Sequence, residues 1–419
     1  MQATGTPSLS PLFLAALLLF ALVLSSTSRT PFANGQTSPA AVTKVPGPVA
    51  LAYDSAKGEI FAANYVDDTL SVISDANNSL VATIPVGIDP FAVAYDSAKG
   101  EVFVANNGNS SVSVVSDATN SRVATVPVGS GPIAVAYDPG KGEIFVANHN
   151  DDTISVISDA NNSVVATVSV GIPTGLGTYN PRGLAYDSAK GEVFVANFGN
   201  STLSVISDSN NSLVAMVPLA SGFGKGLTST GSEPFAIAYD SAKSELFVAD
   251  LGDNAVSVIS DANNSVAANV PVGSGPIAIA FDPAKGEVSV ANSEDNTISV
   301  ISDAGNFLVA TLHVGTGPFA IAYDSAKAEV FVANVGDNTV SIVEPPSAST
   351  TAASSSTASS TSSSATSSLV SSGQPALVLS SNTIVFGLID GAILVGLMTA
   401  RRLEVRRRRS QTAQPAAAT

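Results

Sequence analysis

The residues equipped for chemistry come in sets of seven. Tyr53-Asp54, Tyr95-Asp96, Tyr137-Asp138, Tyr186-Asp187, Tyr239-Asp240, Phe281-Asp282 and Tyr323-Asp324 each set a carboxylate beside an aromatic ring, groups that general acid–base work would use. Eleven residues after each aromatic stands Asn64, Asn106, Asn148, Asn197, Asp250, Asn292 or Asn334. A further set is acidic: Asp67-Asp68, Asp151-Asp152 and Glu294-Asp295 offer oxygen ligands of the kind Ca²⁺ takes. An active site needs asymmetry, and sevenfold recurrence argues against one. The aromatic–Asp pairs are expected to satisfy the backbone of the turn that follows, and the Asn set is read as structural in the same way. The acidic turns lack the spacing of a dedicated calcium loop; they read as turns, with Ca²⁺ the alternative and no other cofactor implied. His149 and His313 are the only imidazoles, one in a turn and one in a strand, which argues against a His-rich metal site. Cysteine is absent, so disulfides and thiol chemistry are excluded. Without a Ser-His-Asp order or a phosphate loop, the chain reads as a non-enzyme.

These residues sit in one repeated phrase, clearest from Pro90 to Gly129. A proline lies five residues before each aromatic (Pro48, Pro90, Pro132, Pro181, Pro234, Pro276, Pro318), and successive aromatics are 42, 42, 49, 53, 42 and 42 residues apart. A period of that size marks a repeat architecture. Each phrase reads as four short strands, in blade 2 FAVAYD, EVFVAN, SVSVVS and RVATVPV, parted by turns rich in Asp, Asn, Gly and Ser. Within the first strand Phe91, Val93 and Tyr95 share one face, while Ala92 and Ala94 share the other. A sheet with one bulky and one small apolar face suits burial between two like sheets. The expected fold is therefore all-β: a seven-bladed β-propeller of four-stranded blades. The seventh phrase stops at Pro345-Pro346 without its fourth strand, and Ala41–Val45 is a spare strand upstream of the first. That strand is expected to complete the last blade and close the ring, although its spacing to Pro48 is about two residues off the internal pattern.

The phrase resembles the YVTN β-propeller repeat family. Its motif stands here as FAAN at Phe61–Asn64, FVAN at Phe103–Asn106, Phe145–Asn148, Phe194–Asn197 and Phe331–Asn334, FVAD at Phe247–Asp250 and SVAN at Ser289–Asn292. The resemblance covers roughly residues 41–344. It implies a surface or secreted propeller without an agreed chemistry, while fold relatives that are lactonases or dehydrogenases supply the alternative of an enzyme with its site in the central funnel.

The flanks place the propeller at a membrane. Residues 1–36 contain the apolar run Pro11–Leu24 followed by small polar residues, and read as a signal peptide, although no Lys or Arg precedes the run. Residues 41–346 form the propeller, 347–375 a Ser/Thr-rich stalk, 377–400 a transmembrane helix and 401–419 a basic cytoplasmic tail carrying six arginines. The reading is a single-pass protein of the cell membrane, propeller outside and C-terminus inside. Between 41 and 346 the chain has 32 acidic and 11 basic residues, a net charge of −21 within a whole-chain value of −16. Such a surface argues against a nucleic-acid partner. Sequons at Asn77, Asn109, Asn161, Asn200, Asn210 and Asn263 are glycosylation candidates; Asn-Asn-Ser is also good turn chemistry.

What breaks the repetition marks a site. Two insertions, Gly171–Arg182 and Ala220–Pro234, lengthen the connection into the fourth and fifth units. They bring Tyr179, Arg182, Phe223 and Lys225 to a face otherwise rich in Asn and acid, and Asp250 alone breaks the Asn set. An aromatic beside a cation suits a sugar ring or an anionic group. The function expected is a membrane-anchored module for binding, adhesion or envelope scaffolding, its partner a cell-surface protein or a glycan.

Overall fold

Each phrase becomes one antiparallel four-stranded sheet. In a computed structural model of the chain, described over residues 40–171, 178–219 and 232–345, seven such sheets follow one another. Blade 2 runs Pro90–Asp96, Glu101–Asn106, Ser111–Ser116 and Ser121–Pro127, in that order. First strands of neighbouring blades touch around a closed ring, Pro318–Asp324 meeting Pro48–Asp54, so the first strand is innermost and the fourth lies at the rim. All-β with seven four-stranded blades is thus the architecture.

The turns form for the reason their composition suggests. Asp96 ends the innermost strand fully buried, and its Oδ1 accepts from the backbone amides of Ala98 (2.9 Å) and Lys99 (3.2 Å). All seven copies make the same pair of bonds, Asp54 and Asp324 included. Local carboxylate–amide bonds of this kind specify a tight turn.

Packing follows the size code. Ala50, Phe61 and Ala63 of blade 1 meet Val93, Tyr95, Val102 and Val104 of blade 2, and the Phe61 and Tyr95 rings stack with centroids 6.0 Å apart. The same small-on-bulky contact joins blade 7 (Ala320, Ala322, Phe331) to blade 1 (Leu51, Tyr53, Ile60). Phe91 departs from the expected face. The ladder shifts register between Pro90 and Ala92, and this irregularity carries Phe91 to the ring axis, where it meets Tyr65 and Phe319 edge-on.

Polar latches then tie each blade to the next. Lys57 pairs with Asp117 at 3.1 Å, Lys99 with Asp159 at 3.2 Å, Lys243 with Asp303 at 3.2 Å, and Lys141 and Lys190 reach Asp208 and Asp261 likewise. Lys327 crosses the seam to Asp75 at 3.4 Å. In blade 7 the chain offers no matching Asp, and Lys285 donates to the carbonyl of Pro345 (3.0 Å) instead. The Tyr95 hydroxyl donates to Asp117 (3.0 Å) with Asp54 of blade 1 close by; burial first, then these carboxylates, drive the phenol far above its ordinary range.

Closure is as expected, one residue earlier. Ala40–Lys44 pairs antiparallel with Thr339–Val343 and supplies the fourth strand of blade 7. Its register is irregular between Ala41 and Lys44, which absorbs the offset in spacing. Val45 follows, 1 % exposed, its amide bonded to the Asn338 carbonyl at 3.0 Å. Among the described residues no helix is long and apolar enough to cross a membrane. The signal segment 1–36, the stalk, the span 377–400, the tail 401–419, Phe223 and Lys225 lie outside the described residues.

Candidate functional site at the crown end of the axis

The sets of seven are largely spent on structure. Asn64, fully buried, donates from Nδ2 to Thr69 Oγ1 (2.9 Å) and Ser71 Oγ (2.8 Å), and Asn106, Asn148, Asn197, Asn292 and Asn334 repeat the arrangement. The acidic turns are occupied too: Asp68 accepts from the Asp89 amide (2.9 Å), Asp151 from Ser130 (2.5 Å), Asp152 from Tyr179 and Asn180, and Asp295 from Ser274 (2.6 Å). These bonds stitch the turn between second and third strands to the connection entering the next blade, so both lie on one face, the crown. No cluster of metal-ligating side chains occurs among the described residues.

Asp250 sits inside the Asn ring and not on the crown surface; it is 1 % exposed. Its partner position holds Ala255 in place of the usual hydroxyl. Burial raises its pKa to about 7, opposed by the Ser257 hydroxyl at 2.5 Å. The same Ser257 hydroxyl lies 2.9 Å from Asn269 Oδ1, so one proton faces two acceptors unless Asp250 is itself protonated.

The break in symmetry is at the axis. One residue after each blade's proline stand Val49, Phe91, Ile133, Arg182, Phe235, Ile277 and Phe319. Val49, Ile277 and Phe319 are buried there with Tyr65 and Val66, flanked by Phe91 and Phe235, closing the crown end with apolar side chains. Arg182 is the one polar member. Its guanidinium carbon lies 4.3 Å from the Phe198 ring centroid and 4.4 Å from that of Phe235, themselves in edge-to-face contact at 6.3 Å. Burial lowers its pKa to about 10, with Glu233 pulling the other way, so it stays charged at neutral pH. Its Nε is buried and has no hydrogen-bond partner.

His149, in the crown turn of blade 3, lies near enough to Arg182 to feel its charge. Burial and then the Arg182 charge lower its pKa to about 4, against the carbonyls of Pro181 and Asn180 and the Asp152 carboxylate. Asn180 Nδ2 donates to the His149 carbonyl (3.2 Å) and stands 3.4 Å from its Nε2. Tyr179, half-buried, packs against Gly171 so closely that a side chain there would collide with its ring, and its amide is held by Asp152 at 3.0 Å. Tyr179 and Arg182 therefore share one sector between blades 3 and 4. Phe198, Phe235, Asn180 and His149 join them, although nothing in their spacing marks them as binding residues. The signal was available for Arg182, the one charge in an apolar column, but not for the ring contacts, which need the bulge at each proline. His313 lies in the rim strand of blade 6, away from His149.

The sequon residues Asn77, Asn161, Asn210 and Asn263 are exposed in turns on the face opposite the crown; Asn109 is exposed and Asn200 half-buried in crown turns.

No family model matches the chain, and no curated protein matches it. Solved structures do. A hydrazine synthase chain of Kuenenia stuttgartiensis superposes with a TM-score of 0.63 at 15 % identity, over 75 % of this chain and 99 % of that one. The Cps50 (Swd1) β-propeller domain of Myceliophteria thermophila gives 0.62 at 9 % identity, over 73 % and 99 %. The chain is similar to both in fold, and identities this low carry the fold alone.

Proposed function

We propose that this chain is a membrane-tethered cell-surface propeller of the YVTN-repeat type that binds a partner or glycan through the blade 3–blade 4 sector of its crown. The observation that carries this is the charged Arg182 in an otherwise apolar axial column, beside the two inserted connections. A scaffold alone has no use for a half-buried cation where six blades place Val, Ile or Phe. An enzyme in the funnel is less well supported: the carboxylates near Arg182 and His149 are Glu233 and Asp152, and Asp152 Oδ1 is already taken by the amides of Tyr179 and Asn180. Glycans at Asn77, Asn161, Asn210 and Asn263 would decorate the opposite face and leave the crown free. The apolar stretch 377–400 followed by arginines supports the anchoring. Protease added to intact cells is expected to remove the propeller and spare the tail; a protected propeller overturns the topology. A glycan and cell-surface protein screen with the full chain is expected to yield a ligand whose capture falls on changing Arg182 to Phe.

A further inference from the structure

We infer that the sector holding Arg182 and His149 receives a carboxylate, carried by a small acidic ligand such as a uronic acid; this rests on reading the blade 3–blade 4 sector as the binding site.

The guanidinium carbon lies over the Phe198 and Phe235 rings, which stand perpendicular to each other, so its plane is parallel to at most one of them. The N–H donors of a guanidinium point outward around its edge, in the plane. One of them, Nε, is buried without an acceptor. Glu233 acts on the guanidinium through its field. A buried donor left unpaired costs free energy that an acceptor would return.

A second unmet donor stands on the neighbouring blade. Asn180 Nδ2 donates to the His149 carbonyl, and since a carbonyl can only accept, the amide's orientation is fixed. The same Nδ2 faces His149 Nε2, which is therefore the acceptor nitrogen. In the neutral ring the proton then sits on Nδ1. Nδ1 is buried without a well-aligned partner, and the Pro181 and Asn180 carbonyls act on the ring only enough to offset part of its lowered pKa. Asp152, the carboxylate that faces His149, has its Oδ1 engaged by the amides of Tyr179 and Asn180. Two N–H donors, one on a cation, thus lack acceptors in one sector of the crown. A carboxylate carries negative charge and two in-plane oxygens, one for each. Phosphate carries the charge but projects its oxygens in three dimensions.

The chain has two histidines, which makes the test direct. Full-length protein in detergent, labelled with ¹⁵N-histidine, is titrated at constant ionic strength with sodium glucuronate, acetate or inorganic phosphate. Glucuronate and acetate are expected to move the His149 nitrogens, leave His313 unmoved and raise Tm. Arg182→Phe keeps the apolar column of blades 2, 5 and 7 and is expected to fold; in it glucuronate affinity falls at least about tenfold. Arg182→Lys keeps charge but not the planar fork, and its affinity falls between the two. The inference is overturned if phosphate alone moves His149, if none of the three does, or if Arg182→Phe responds as the parent does. The wider reading fails separately, when the surface-ligand screen captures the same molecules with the parent and with Tyr179→Ala/Arg182→Phe.

Discussion

Asp250 shows how one side chain can be read against six copies of itself. Elsewhere the buried amide donates to two hydroxyls; here a carboxylate meets one hydroxyl and Ala255. Its folded pKa, about 7, lies above the ordinary carboxylate value. A raised acid pKa contributes stability below the unfolded value of about 4, and that contribution is lost as pH rises toward 7. Above 7 the fold holds a buried charge. Asp250→Asn removes the titration and lets Ser257 donate to Asn269. The expected gain is on the order of 4 kcal/mol at pH 8 and close to none at pH 4. Urea denaturation of both proteins at the two pH values decides it; an equal gain at both would show that Asp250 is not neutralised by the fold. His149 has the opposite sign. Its folded pKa, about 4, is depressed below about 6.5, so its contribution is complete at pH 7 and is lost as pH falls from 6.5 toward 4. His149→Asn is expected to flatten that part of the stability–pH curve; an unchanged slope between pH 7 and 5 would count against a desolvated imidazole.

Among the elements, the innermost strand and its turn do most to define a blade. Asp96 is fully buried and holds two amides, whereas Lys99 is about a third exposed and its ion pair with Asp159 is screened by solvent. Asp96→Ala is therefore expected to cost about 1–3 kcal/mol by orphaning buried amides, and Lys99→Met no more than about 1 kcal/mol, vanishing in high salt. Chemical denaturation in low and high salt measures both; equal costs would reverse the ranking of turn over latch. The importance of the turn is legible in the sequence itself, because seven copies of aromatic–Asp at a fixed distance from Pro can only be a repeated turn device. The strands, blade count and small-on-bulky packing are legible for the same reason. Phe91 is not: alternation assumes an unbroken pleat, and the irregularity after Pro90 turns one residue out of it. The sector is half legible, Tyr179 and Arg182 being marked by the insertion. Phe198 and Phe235 come to Arg182 through the ring's curvature, which no linear spacing encodes. Asp250 misleads, since a break in a pattern at a buried position looks the same in sequence as one at the surface.

At the scale of the whole ring, two fastenings share the load at the seam between blades 7 and 1, beside the contact of its innermost strands. One is the strand Ala40–Lys44, paired with Thr339–Val343. The other is the latch at the seam: Lys327 to Asp75, with the Tyr53 hydroxyl donating to Asp75 at 3.0 Å beside Asp324. In a repeat protein each unit leans mainly on its neighbours, so losing a fastening weakens the seam and not the remaining junctions. Deleting residues 40–44 removes the rim strand of blade 7 and bares the edge of Thr339–Val343, while the innermost contact of Pro318–Asp324 with Pro48–Asp54 remains. The expected product still folds, melts several degrees lower and associates through the bared edge. Adding Lys327→Met should then lower Tm further than the same change does in the intact chain, because only the double variant loses both fastenings. Scanning calorimetry with light scattering on the four proteins gives the answer. Strict additivity, or a monodisperse deletion variant with the parent's Tm, would mean that the N-terminal strand rests on the ring without closing it.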